Sequence, residues 1–445
     1  MTMTRRDAVA LGAAASIYPV IGARASVDDV PMADVKPPEF KIESGAKLRV
    51  VRPAKFVEAD EVVFRANSRK FTDKTGVEVT VDLLAFEDLR PRIAEIAETG
   101  AGADVVIGFS ADPHVYASNL VDMTDLANYL GAKYGGWYEL AVLYGTKWKT
   151  KEWISIPMAG LTSPTLYRKS WVREAGYDAI PNDLDGFLTL CQKLQKNGHP
   201  CGFSLGHALV DGTSFVSWAL WSHNAFLVDE AGKVAIDSKE TVAALKYVAE
   251  LYKTMIPGTL TWLDISNNQA YLAGQIGLTF NTISIYYAAK NSKDPRLQEI
   301  AADSMQQTQP YGNSKHLAQS TTPLNAMVFK HSKYPNASKE YLRFMMEADQ
   351  YGPWLSETLG YYINPLKAYS KMKFWDSDPR FKPFVGGMNT PFYDGYKGPI
   401  SAPASKLTAD YVLVDMFASV ATGAMTPEAA AKQAARQTQR YYKGA

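Results

Sequence analysis

Gly202, Ser204 and Gly206 stand in the G-x-S-x-G spacing that sets a serine nucleophile on a sharp strand-to-helix turn. Asp211 and His316 follow in an order that a hydrolytic triad permits. Such a turn needs a strand running into its first glycine and a helix leaving its second. Residues 197–201, Asn-Gly-His-Pro-Cys, cannot make a buried strand, and the stretch with Gly212 that follows reads as loop. An exported hydrolase built on 202–206 stays as an alternative reading. The histidines His114, His199, His207, His223, His316 and His331 show no H-x-H or H-E-x-x-H spacing, so no metal site is expected. Gly100-Ala101-Gly102-Ala103 lacks the third glycine of a dinucleotide loop and precedes a strand; there is no P-loop, and no cofactor is expected. A glycosidase needs two carboxylates at a set separation in one cleft, which spacing along a chain does not reveal. Cys191 and Cys201 either pair in an oxidising compartment or stay as small buried apolar residues.

Composition narrows the partners. The chain has 445 residues, 47% hydrophobic and 21% charged, ordinary for a globular protein and enough for two domains. Its formal net charge is +1, and without residues 1–25 it has 44 basic and 45 acidic side chains. A near-neutral chain without basic tracts argues against nucleic acid and anionic membrane. Aromatics reach 12%, with 25 Tyr and 9 Trp. Such rings can stack on the C–H face of a sugar, although most of them are needed as core.

The amino terminus reads as an export signal. Arg5-Arg6 precedes an uncharged apolar run over 8–21, then Ala23-Arg24-Ala25 offers a cleavage site. The paired arginines point to twin-arginine export, with Asp7 out of keeping with the usual motif. Cleavage after Ala25 leaves a periplasmic protein, and 26–45, with Pro31, Pro37 and Pro38, reads as a flexible lead-in.

The elements that must position any site follow. Residues 47–51 form a short apolar strand. Residues 57–75 carry Val62, Val63, Ala66 and Phe71 between charges, a helix closed by Gly76. Residues 77–84 alternate as a strand, 89–98 are helical, and 103–109 are a buried strand by their apolar run. This β-α-β-α-β order predicts a parallel sheet covered by helices, with ligands beyond the carboxyl ends of its strands. The loop after the first strand holds Pro53, Lys55 and Phe56; that after the third holds Phe109, Ser110, Asp112 and His114. Further on, 199–206 reads as a strand, 214–224 as an aromatic segment and 226–237 as a hairpin. Ser238 caps a helix over 241–254. Helices are expected over 336–346, 351–359, 409–422 and 429–442, and the loop 360–365 should expose at least one of Tyr361 and Tyr362.

Residues 157–195 run as a crossing segment, a strand, a short helix, a Pro-marked turn and a second helix. Pro157, Leu166-Tyr167-Arg168-Lys169, Glu174-Ala175-Gly176, Pro181 and Phe187 appear there in an order that resembles extracellular solute-binding proteins of bacterial ABC importers, the family that includes maltose-binding protein. Residues 120–125, the Gly-x-Ile-Gly unit within 268–281 and the Gly423-x-x-Thr426-x-Glu428-Ala429 pattern extend the resemblance over 46–442. It implies an α/β fold of two lobes, the periplasmic-binding-protein fold, with parallel-rich sheets flanked by helices and a three-segment hinge. Lobe 1 would take 46–161 and 322–372, lobe 2 162–321 and 373–445. The implied function is capture of a sugar or polyol by a monomer that delivers it to an ABC permease and does no chemistry on it. A polyamine or other small cation is the alternative ligand.

Carrying the family's ligand contacts over gives Lys55, Phe109 and Asp112 from the first lobe, and Thr162 at the crossing segment. Beside Thr162, Leu161 stands where the family often has an acidic contact. From the second lobe come Phe215, Trp218, Asn281, Tyr286, Asp410 and Tyr411, and Tyr361 stands at the rim. Against these, Asp112 can cap the helix that follows, with Pro113 in its first position. Each aromatic can be core instead, Trp221 above all.

Overall fold

The computed structural model describes residues 29–312, 314 and 317–443. The expected export signal and His316 lie outside the described residues. Eight strands are found among the described residues: β1 (Lys47–Pro53), β2 (Glu78–Leu84), β3 (Val105–Phe109), β4 (Ile156–Thr162), β5 (Thr165–Arg168), β6 (Leu278–Phe280), β7 (Ser304–Gln307) and β8 (Thr321–Val328). They form a five-stranded sheet in the order β2-β1-β3-β8-β4 and a three-stranded sheet in the order β6-β5-β7. β1 pairs parallel with β2 and β3, and β8 runs antiparallel between β3 and β4. β5 pairs antiparallel with both neighbours in the smaller sheet.

Local chemistry explains the elements that sit around the first sheet. The helix Glu58–Thr75 has Glu58, Asp60 and Glu61 in its first turn and Lys74 in its last, signs that suit its dipole. Gly76 closes it at φ 76°, where its N–H reaches Thr72 O at 2.8 Å, a left-handed cap that residues with a Cβ adopt at a cost. β3 is buried at all five positions, as its unbroken apolar run requires. In the second lobe Ser238 caps the helix Lys239–Tyr252 by accepting from Thr241 N.

The chain passes between the sheets at Ser163-Pro164, from β4 to β5, and again between β7 and β8. Near the first passage Gly160 pairs with Ile363, and Thr321 Oγ1 donates to Gly387 O at 2.7 Å. One apolar core is built on the larger sheet; another joins Phe187, Phe203, Phe215, Trp218 and Phe280. The first core also includes Ile283, Ile285 and Tyr286 from beyond β6, so the lobes are in apolar contact. Residues 29–45, read above as a lead-in, run along the first lobe. Ala33 N donates to Lys133 O, and Glu43 accepts from Asn336 N and Ala337 N at the start of the helix Pro335–Met346.

Three local expectations are corrected. Residues 199–206 are not a strand: only Cys201 pairs, in isolated bridges to Met255 and Leu278. Gly202 and Gly206 pack that segment so closely under Trp262 that a Cβ on Gly206 would lie 2.4 Å from Trp262 O. The stretch around Gly212, read as loop, is the start of the helix Asp211–Ser222. Tyr361 and Tyr362 are both buried, because their rings fill the space between Phe56 and Trp354. Cys191 and Cys201 are free thiols, buried and close enough to hydrogen-bond. Among the described residues no helix is long and apolar enough to cross a membrane.

Candidate functional site

A narrow cavity lies between the lobes. Its walls are Phe56, Phe86, Leu161 and Tyr361 on one side and Val210, Asp211, Asp264, Asn281, Thr282 and Ser284 on the other. Phe56 and Phe86 follow the carboxyl ends of β1 and β2, and Asn281 follows β6, the place where open α/β sheets put ligands.

The first wall is aromatic and rigidly backed. Phe56 lies 4.9 Å from Phe86 and stacks on Tyr361 at 6.4 Å. Phe109 sits behind Phe86 at 4.9 Å, and Tyr362 packs on Tyr361 at 4.8 Å. A buried ion pair holds this wall: Arg52 Nη2 lies 2.6 Å from Asp60 Oδ2. Asp60 also accepts from Trp354 Nε1 at 2.9 Å and from Tyr362 Oη at 3.0 Å. Burial works against the Arg52 charge, but Asp60 outweighs it and raises the guanidinium above its ordinary value.

The second wall is polar. Asp264 accepts the backbone N–H groups of Leu209, Val210 and Asp211 at 3.0, 3.0 and 2.8 Å. It thus serves as a remote cap for the helix Asp211–Ser222, whose first N–H groups lack intrahelical partners. Asp211 accepts from Asn267 Nδ2 at 2.7 Å. Beyond β6, Asn281 Nδ2 donates to Asn268 Oδ1 at 2.8 Å, Asn268 Nδ2 to Ser284 Oγ at 3.0 Å, and Ser284 Oγ to Asn281 Oδ1 at 2.9 Å. This closed ring fixes three side chains for recognition, since each is oriented by the others. Burial pushes Asp264 up to about 6 against the three backbone N–H groups that pull it down. Burial, then the repulsion of Asp264, drives Asp211 well above the ordinary aspartate range, offset only by Asn267.

Of the residues carried over by resemblance, Asn281 and Tyr361 line this cavity. Lys55 is exposed and paired with Glu58 and Glu61 at 2.8 and 3.0 Å. Phe109 is core behind Phe86. Asp112 is buried and taken up by Arg90 Nε at 3.0 Å, by Phe109 N at 2.9 Å and by Ser405 Oγ. Thr162 is buried in β4 and bonded to Gln319. Phe215 and Trp218 are core, with Trp218 Nε1 donating to Pro310 O at 3.1 Å. Tyr286 reaches Asp378 Oδ2 at 2.8 Å and packs under Arg380. Asp410 is exposed and accepts from Tyr441 Oη, and Tyr411 stacks on His207 at 4.4 Å with φ 53°.

Sequence reasoning had no ligand contact at Phe86, Val210, Asp211, Asp264 or Thr282. Phe86 alone had a signal, as the apolar residue after a strand that ends in the sheet; Asp264 sits in a stretch without periodicity. Leu161 and Phe56 are noted above by position, without a ligand contact. The hydrolase geometry is not formed. Ser204 Oγ turns into the backbone, 3.2 Å from Trp262 O, with no strand ahead of it. Among the described residues no group of three His, Cys, Asp or Glu could hold a metal ion.

Comparison with known proteins agrees with this architecture. T. maritima MalE3, solved with maltose bound, is 20% identical, with a TM-score of 0.74 over 89% of this chain and 99% of its own. A solute-binding protein of an ABC transporter from Agrobacterium vitis S4, solved with D-mannitol, is 17% identical, with a TM-score of 0.71 over 90% of this chain and 99% of its own. These likenesses establish the two-lobed fold. In sequence, YcjN of Escherichia coli strain K12, whose name places it among periplasmic-binding proteins of ABC transporters, is 23% identical over 230 residues, 51% of each chain. The chain thus spans about half the length of that curated relative. The family model for bacterial extracellular solute-binding proteins matches residues 68–383. With that match across most of both lobes and a cavity walled by each of them, the chain belongs to the bacterial extracellular solute-binding proteins.

Proposed function

We propose that this protein is the exported substrate-binding component of an ABC importer and that it captures a small sugar or polyol between its lobes without chemical change. The observation that carries the reading is the cavity itself, with an aromatic wall from one lobe and an oriented ring of amide and hydroxyl groups from the other. Rings cover the apolar face of a polyhydroxyl ligand, and the oriented polar groups fix its hydroxyls. Relatives solved with maltose and D-mannitol support the class of ligand. The partner is a membrane permease with its ATPase, met by a monomer. Export by the twin-arginine route with cleavage after Ala25, lobe boundaries at 161/162, 321/322 and 372/373, and ligand contact through Asn281 and Tyr361 belong to the same proposal.

Thermal unfolding of the exported protein against single sugars, polyols, polyamines and amino acids tests it. A ligand that binds only the native state stabilises by mass action, about 2.7 kcal/mol at one hundred times its dissociation constant. A raised melting temperature with one sugar or polyol class is expected. A shift with amino acids alone, or with none of the compounds, would refute the reading.

A further inference from the structure

The cavity is lined by acidic side chains without a basic one to match them. Two of its ten lining residues are carboxylates, Asp211 and Asp264, and none is basic. The two differ in how they are used. Asp264 is committed to three backbone N–H groups at the head of the helix Asp211–Ser222. Asp211 is only 8% exposed and receives a single bond, on Oδ2 from Asn267. Among the described residues its Oδ1 accepts nothing. Next to it, Asn267 Oδ1 is buried without a partner. Asp211 thus brings to the cavity a carboxyl oxygen that no described protein donor takes. The buried arginine Arg90 is no counter-charge, because Asp112 holds its Nε and Asp394 lies nearby.

A neutral polyol meets Asp211 as the neutral acid that burial and Asp264 favour, and so leaves its charge unused. An ammonium group supplies the charge and three donors at once. Phe56, Phe86 and Tyr361 line the same cavity, and aromatic faces attract cations. We propose that the ligand is a small sugar or polyol carrying a protonated amine, and that Asp211 is the residue that receives the amine. The inference rests on the importer reading above and adds the charge of the ligand to it.

Matched pairs of probes test it by titration calorimetry on the exported protein: D-glucosamine against D-glucose, and D-glucamine against D-sorbitol. The amine of a pair is expected to bind about tenfold tighter or more than its neutral parent, the ratio set by a charge-assisted bond. Asp211→Asn should abolish that preference while its unfolding midpoint without probe stays at or above the parent protein's. Asp211 must be ionised to pair with the amine, and burial and Asp264 raise its proton affinity. The other titratable group set against it is Tyr361, raised by burial and neutral throughout. The amine preference should therefore fall as pH drops through the raised range of Asp211, earlier than an ordinary aspartate would allow. If the neutral parent binds as tightly as the amine, this inference fails and the importer reading stands. An amine preference that survives Asp211→Asn overturns the assignment to Asp211. Failure of every hydroxylated probe, including binding of putrescine alone, overturns both readings.

Discussion

Asp60 carries more of the first wall than any residue that faces the cavity. Its two oxygens take Arg52, Trp354 and Tyr362 from three separate segments, all of them buried. Arg52 in turn lies over the Phe64 ring at 4.2 Å. Remove the carboxylate and Arg52 becomes an unpaired buried charge, while two buried donors lose their acceptor. Asp60→Ala is expected to destabilise the fold by about 3–5 kcal/mol, measured by urea unfolding. A loss no greater than that of a surface substitution, within about 0.5 kcal/mol, would show that the pair is not what holds Phe56 and Tyr361 in place. None of this is visible along the chain: Arg52 and Asp60 are eight residues apart across a strand end, and Tyr362 is three hundred residues further on.

Elements were legible where a local rule acted alone. The helix Glu58–Thr75 was readable from its periodicity and from Gly76, and the structure matches it within one residue. The alternation of β2 and the apolar run of β3 were equally plain. Residues 199–206 misled because their glycines serve a partner distant in sequence. Gly202 lies under the Trp262 ring and Gly206 against the Trp262 backbone, so the G-x-S-x-G spacing is a packing pattern here. A Cβ on Gly206 would lie 2.4 Å from Trp262 O and 2.8 Å from Trp262 N, atoms that cannot rotate away. Gly206→Ala should cost about 1–3 kcal/mol of unfolding free energy, the usual result of overpacking. The loop between Trp262 and Asp264 would shift with it. An alanine variant as stable as the parent protein would mean that this loop yields freely, and that Asp264 does not hold the head of the helix Asp211–Ser222 rigidly.

At the scale of the whole molecule the site depends on how the lobes meet. The resemblance in 157–195 gave the two-lobed architecture, and of the ligand contacts it implies, Asn281 and Tyr361 line the cavity while most others lie away from it. Phe215 and Trp218 went into the core, and Asp112 into a network with Arg90. The wall residues Asp211 and Asp264 lie 53 apart and meet only through a backbone cap, which no spacing rule reports. Closure also uses contacts away from the cavity. Tyr287, just beyond the polar ring, accepts from Ala59 N at 3.2 Å, at the head of the first-lobe helix Glu58–Thr75. This bond joins Tyr287 to the first-lobe helix away from the cavity, which Tyr287 does not line. Tyr287→Phe removes the acceptor and keeps the ring, and is expected to destabilise this closed arrangement by about 0.5–1.5 kcal/mol. A smaller closed population weakens apparent affinity in proportion. Whichever probe binds the parent protein should bind the variant roughly 2- to 10-fold more weakly, while small-angle scattering at saturation gives the same compact form. Equal affinity in the two proteins would place the closing energy entirely in the ligand's own contacts and would discount this latch.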